Sequence, residues 1–293
     1  MSYLRNPCQR TDQAARLREL VADEGLVQPA TRTVAVTSGK GGVGKTNIAV
    51  NLAICLASRG LRVALLDMDL GLANADLLLG ARCSYNLEHV VCGLREIDQV
   101  GTMTTGDVFF VPGASGVDRL ANLSDFERQH LIAQMRRLER GSDVLVLDCG
   151  AGISPNVLSF ILAADTCLLV TTPEPMAVTD AYAVIKVLTQ KGHRGSIQLL
   201  VNFAESRREA RDVLRRVASV AQRFLGFPIA DGGYMLQDAH VELAVRQRCP
   251  FVLRYPRCAA SACMAAVASR LVTRETAARR SGGVFRRVVG LFV

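Results

Sequence analysis

The sequence predicts an α/β fold in which one doubly wound, mostly parallel sheet is flanked by helices. Three observations carry this expectation. Regularly spaced apolar strands alternate with helical stretches from Thr33 to about Arg270, no Pro- or Ser-rich linker interrupts them, and the first strand runs through a glycine-rich turn straight into a helix. At 293 residues the chain is ample for one large core or two small ones. The unbroken alternation makes a single domain over residues 31–278 the economical reading. Residues 1–30 then form an N-terminal segment with a linker, and residues 279–293 a tail.

The first strand is the apolar run Val34-Ala35-Val36, and the first helix is patterned from Ile48 to Leu56. Between them stand Gly39-Lys40-Gly41-Gly42-Val43-Gly44-Lys45-Thr46, with Asn47 following. A glycine-rich turn in this setting points consecutive backbone N–H groups at phosphate oxygens, and the helix dipole adds partial positive charge at the same spot. In such a loop the second lysine, Lys45, reaches the β- and γ-phosphates and Thr46 ligates Mg²⁺. The chain has four lysines, Lys40, Lys45, Lys186 and Lys191, the other basic residues being almost all arginine. Two of the four lie in this loop, where a flexible point charge is needed.

The next buried-type strand, Val63-Ala64-Leu65-Leu66, ends in Asp67-Met68-Asp69. Two carboxylates thus stand at a strand's carboxyl end, where open α/β sheets bind ligands; capping of the strand end in water is the plainer alternative. A further strand, Val144-Leu145-Val146-Leu147, ends in Asp148-Cys149-Gly150-Ala151-Gly152. Asp148 fits the role of holding Mg²⁺ through water, and the glycines suit a loop that follows the γ-phosphate. After Leu199-Leu200-Val201 comes Asn202, which either stops the strand or meets the ligand. Guanine-specific P-loop proteins carry an Asn-Lys-x-Asp element, and the chain has no Asn-Lys pair. A guanine nucleotide is therefore not expected.

With Lys40 near the start of the loop, these motifs resemble the deviant Walker ATPases of the MinD and ParA class. The resemblance implies a doubly wound P-loop ATPase that dimerises on ATP, Lys40 reaching across the interface to the partner's nucleotide. It also implies that Asp69 orients the attacking water, that Asp67 stands near the magnesium shell, and that Asn202 hydrogen-bonds the adenine edge. The class more often has serine or threonine where this chain has Cys149.

Formal net charge is +8, which biases encounters with anionic partners without identifying one. Nine cysteines form no Cys-x-x-Cys pair, and Cys55 and Cys167 lie inside apolar runs, as small core residues do in a reducing compartment. His89, His130, His193 and His240 are scattered without ligand spacing, so no metal beyond nucleotide-bound magnesium is expected. Residues 1–25 are polar and charged, unlike a signal peptide, and no apolar run approaches the ~18 residues a membrane span needs. A cytoplasmic protein is expected.

Two appendages narrow the function. In the tail, Val284, Phe285, Val288, Val289 and Phe292 fall on one helical stripe flanked by Arg286 and Arg287, behind the hinge Gly282-Gly283. A short basic amphipathic helix of this kind binds reversibly to anionic lipid headgroups, the alternative being a last helix docked on the protein's own core. MinD-type proteins end in the same kind of helix. At the other end, Asp12-Gln13-Ala14-Ala15-Arg16-Leu17 precedes the core and is joined to it by Gly25 to Arg32.

That segment resembles the Asp-Gln-Ala element of the flagellar-number ATPases, the FlhG (FleN) family. So do Asp69 to Gly80, Val111 to Gly116, Pro173-Glu174-Pro175 and Thr179 to Lys186. The resemblance implies that Asp12, Gln13, Ala14, Arg16 and Leu17 stimulate a signal-recognition-particle-type GTPase partner, FlhF. It implies further contacts with flagellar switch proteins or a flagellar transcription regulator. Two other readings share the core: a division-site MinD, which would lack the N-terminal element, and a DNA-partitioning ATPase. The latter would use Arg207, Arg208, Arg211, Arg215 and Arg216, which share a helix and are more simply a solvated face.

Overall fold

The computed structural model describes residues 31–69, 75–113 and 125–273. The segment Asp12–Leu17, expected to bind a partner, and the apolar stripe expected at Val284–Phe292 lie outside the described residues.

The first strand, β1 (Arg32–Ser38), leads into α1 (Lys45–Ala57), and β2 (Val63–Met68) follows. Three short helices, α2 (Ala75–Leu79), α3 (Leu87–Val91) and α4 (Ile97–Val100), precede the edge strand β3 (Thr102–Met103) and its neighbour β4 (Val108–Val111). Next come α5 (Asp125–Gly141), β5 (Val144–Ala151), α6 (Pro155–Ala163), β6 (Thr166–Thr171), α7 (Pro175–Gln190) and β7 (Ser196–Ala204). The described chain closes with α8 (Arg207–Leu225), β8 (Ala230–Leu236), α9 (Ala239–Arg246), α10 (Phe251–Arg254) and α11 (Ala259–Thr273).

The eight strands form one sheet in the order β3-β4-β2-β5-β1-β6-β7-β8. Every pairing is parallel except β3 with β4. Both faces are covered, so the inner strands are apolar on both sides. Ala35, Leu145, Leu147, Cys167 and Leu169 face a layer built on α5, α6 and α7. Val34, Val36, Leu65, Val146 and Leu168 face α1 and α11. Helix α1 is buried along almost its whole length, which explains why its sequence is apolar all round rather than striped.

The expected strands are all present, but two run further than their apolar cores. Strand β5 continues through Asp148, Cys149 and Gly150 to Ala151, because β1 and β2 both extend alongside and pair with it. Strand β7 likewise runs past Asn202 to Ala204. The residues expected in loops after these strands are thus held within the sheet.

Strand β1 has β5 on one side and β6 on the other. The chain builds outward to β2 and β4 in one direction and to β7 and β8 in the other. The carboxyl end of β1 is therefore the place where strand order reverses, the crevice in which doubly wound sheets bind ligands.

Candidate nucleotide site

The loop after β1 opens into α1 at Gly44, whose backbone is left-handed (φ 87°) and offers no capping side chain. Two later helices are capped by side chains: Ser206 accepts from Glu209 N–H at the start of α8, and Asp238 from His240 N–H at the start of α9. Only α1 of these three leaves its first-turn amides to an outside anion. A Cβ built on Gly41 or Gly42 meets no other atom within 4 Å, so this side of the loop is an open cradle.

The underside of the loop is the opposite. A Cβ on Gly39 would lie 2.4 Å from the Asp180 backbone of α7, and one on Gly44 would lie 2.5 Å from the Asn202 amide. Glycine lets two neighbouring elements brace the loop from below. Asn202 Nδ2 donates to the Val43 carbonyl at 2.8 Å, so one of its two amide protons is committed to holding the loop. The Ser38 hydroxyl donates to the Lys40 carbonyl at 2.6 Å. Thr37 Oγ1 donates to the Gly150 carbonyl at 3.2 Å, and Gly152 N–H to the Ser38 carbonyl at 2.8 Å, tying the loop to the end of β5. Asn47 lies in the first turn of α1, its Oδ1 accepting from Asn51.

Asp67 and Asp148 are register partners on adjacent strands, both about 1% exposed. Burial pushes the Asp67 carboxyl up to about 6, opposed by the N–H groups of Asp69 and Ala75 that its oxygens accept. Burial pushes Asp148 up to about 8, and the Asp67 charge adds to it, while the Thr46 hydroxyl and Lys45 ammonium pull the other way. Neither Asp148 oxygen has a hydrogen-bond partner of ordinary geometry. A buried carboxylate without partners is costly unless a cation answers it. Asp148, Asp67 and the Thr46 hydroxyl are thus chemically suited to hold a divalent ion, directly or through water. Lys45 is itself buried, beside this acidic pair. Asp69 follows β2, and a Cβ on Gly150 would lie 3.5 Å from its Oδ1, which places it over the end of β5.

Lys40 is on the open side. Its ammonium pairs with Glu174 at 3.0 Å, both side chains about half exposed. Glu174, at the start of α7, is a site residue that sequence reasoning noted only within the Pro173-Glu174-Pro175 stretch. No local pattern pairs residues so far apart in sequence. Gly113, noted in sequence only within Val111 to Gly116, also packs against the site: a Cβ there would lie 2.2 Å from the Asp67 carbonyl, so only glycine lets that segment pass. Cys149 sits on the opposite face from Asp148, fully buried in the core, its thiol held well above the ordinary range by burial. Its departure from serine or threonine is a packing feature.

Beside the loop lies a cleft of about 340 Å³, walled by Gly41, Gly42 and Val43 on one side and by Phe203, Glu205 and Glu209 on the other. Asp231 is turned away from it into an ion pair with Arg270 of α11 at 2.8 Å.

Comparison with known proteins agrees with this geometry. The ParA family model, described as "NUBPL iron-transfer P-loop NTPase", matches residues 30–205. The antiactivator FleN of Pseudomonas aeruginosa is 41% identical over 247 residues, 84% of this chain and 88% of that protein. The flagellum site-determining protein YlxH of Helicobacter pylori is 35% identical over 192 residues, 66% of this chain and 65% of that protein. Among solved structures, the septum site-determining protein MinD of Pyrococcus horikoshii, complexed with Mg-ADP, superposes with a TM-score of 0.67 at 26% identity, covering 84% of this chain and 98% of that one. With the phosphate loop, the paired aspartates and the doubly wound sheet in place, the chain belongs to the MinD/ParA family of P-loop ATPases, binding ATP with Mg²⁺ and hydrolysing it.

Proposed function

We propose that the chain is an ATP-driven, dimerising switch of the flagellar FlhG (FleN) branch, setting flagellar number or placement from the inner face of the cell membrane. The observation that carries this reading is the similarity to FleN and YlxH over the ATPase core. The Asp12–Leu17 element supports it independently.

In this reading Lys45 and the amides of Gly41, Gly42, Val43 and Gly44 bind the phosphates, with Gly39 and Asn47 shaping the two ends of the loop. Thr46, Asp67 and Asp148 hold magnesium, which neutralises phosphate charge when bound. Asn202 braces the loop through Val43 and offers its remaining amide groups to the adenine edge. Asp69 orients the attacking water. Lys40 leaves Glu174 and reaches the phosphates of a second copy across the exposed face formed by Gly41, Gly42 and Met176, which is 67% exposed. Dimerisation brings two tails together, and Val284, Phe285, Val288, Val289 and Phe292, with Arg286 and Arg287, engage anionic lipid. Asp12, Gln13, Ala14, Arg16 and Leu17 act on the FlhF-type GTPase. Flagellar switch proteins or a flagellar transcription regulator are further partners, and hydrolysis returns monomers to the cytoplasm.

The fold likeness to MinD supports a division-site reading as the alternative. Arg207, Arg208, Arg211, Arg215 and Arg216 of α8 are exposed, but Arg215 already leans on Asp212, as in a solvated face, and DNA is not proposed as the partner. The deciding measurement is GTP hydrolysis by the FlhF of the same organism with and without a peptide of residues 1–25. Stimulation is expected. No effect, with peptide and GTPase both intact, moves the reading to a division-site ATPase.

A further inference from the structure

Phe203 is an anomaly of folding. Its backbone is left-handed, with φ 55°, a conformation rarely adopted by a bulky side chain. The cause is a bulge. Val201 pairs with Tyr234 and Ala204 with Leu236, so β7 carries one residue more than β8 across this interval. A bulge re-aims the side chain it carries. Here it leaves Phe203 43% exposed and outside the apolar clusters formed by the described residues. Neither the strain nor the exposure serves the core, and such outliers persist where the surroundings impose them.

The ring lies at the cleft. Its Cζ is 3.6 Å from where a Cβ on Gly44 would stand, so it borders the phosphate loop at the point braced by Asn202. Beyond it the wall is carboxylate: Glu205 and Glu209, with Glu209 Oε2 accepting from the Glu205 N–H at 2.8 Å. Gln237 closes the end, its N–H donated to the Ala204 carbonyl at 2.9 Å. Phosphates are attracted to the loop amides and Lys45 and repelled by Glu205 and Glu209. Amino and hydroxyl groups are natural donors to those carboxylates. The polarity of the cleft therefore runs triphosphate at the loop, nucleoside at Phe203.

We propose that Phe203 is the stacking platform for the nucleobase, a binding residue that selects ligands with a broad aromatic base over the bare phosphate chain. The proposal rests on the ATP site and not on the flagellar role, and so stands or falls separately from it. Stacking of a base on an aromatic side chain changes affinity by about tenfold or more.

The test uses the full chain and two ligands, ATP and inorganic tripolyphosphate, each with magnesium. Phe203→Gly should weaken ATP binding about tenfold while leaving tripolyphosphate binding unchanged. Because glycine accepts this backbone without strain, the melting temperature of the ligand-free variant should hold or rise. A residue needed only for packing would lower it. The chain contains no tryptophan, so Phe203→Trp supplies a lone fluorophore. Its emission should be quenched by ATP and not by tripolyphosphate. Parental ATP affinity in Phe203→Gly, or an indole equally indifferent to both ligands while ATP binds, would overturn the proposal. A parental chain that binds neither ligand would overturn the nucleotide site itself.

Discussion

Asp148 is about 1% exposed, and it lies beside a second carboxylate, Asp67, buried to the same degree. Its pKa of about 8, against an ordinary 3.8, has a direct consequence for stability. The folded, metal-free protein holds a proton that the unfolded chain has released, so the stabilisation is complete below the ordinary carboxylate range and is lost as pH rises towards 8. Asp67, raised to about 6, loses its share earlier in the same climb. The metal-free melting temperature should therefore fall between about pH 4 and pH 8, roughly 2–4 °C for each kcal/mol lost in a domain of this size. Asp148→Asn should flatten most of that fall, because the amide stays neutral, and should abolish the response to magnesium. Calorimetry across that range checks both. A variant with the parental pH slope would mean that Asp148 is not the buried acid responsible. Magnesium affinity itself should rise over the same interval, since the cation must displace the proton.

At the scale of elements, the phosphate loop is held from beneath by α7 and β7, and the two kinds of glycine in it make different predictions. Gly39→Ala drives a methyl group into the Asp180 backbone, which is part of a helix and cannot rotate away. Overpacking of this sort costs about 1–3 kcal/mol and should lower the urea midpoint accordingly. Gly41→Ala adds a methyl into open space, so stability should stay within about 0.5 kcal/mol while ATP binding falls. Equal midpoints for the two variants would contradict the packing of α7 against the loop. The same contrast shows what was legible beforehand. The loop, Lys45 and the aspartates at strand ends could be read because a strand, a glycine turn and a helix are local patterns. The strands Val63–Leu66 and Val144–Leu147 could be read because burial on both faces demands continuous apolar runs. Glu174 paired with Lys40, Gly113 against Asp67 and the bulge at Phe203 could not. Each arises where segments distant in sequence meet, and no periodicity within either segment encodes the meeting.

For the whole molecule, the proposed cycle joins one site to one end of the chain. A single short amphipathic tail is a weak anchor, whereas two on one dimer gain up to about 10²–10⁴ in avidity without any new contact. Membrane residence should then follow the lifetime of the ATP dimer, which in the proposed cycle Lys40 makes and Asp69 ends. Three variants separate these steps in a sedimentation assay with anionic vesicles and ATP. Deleting Val284 to Val293 should abolish vesicle binding with ATP hydrolysis retained, since the deletion leaves the described core untouched. Lys40→Ala should fall to the level of a single tail, because its partner's nucleotide is no longer reached. Asp69→Ala should retain ATP and accumulate on the vesicles, the clock having stopped in the dimeric state. Sedimentation of the truncated chain at the parental level would place the membrane contact elsewhere. Parental hydrolysis by Asp69→Ala would remove that residue from water positioning, and with it the link between hydrolysis and release.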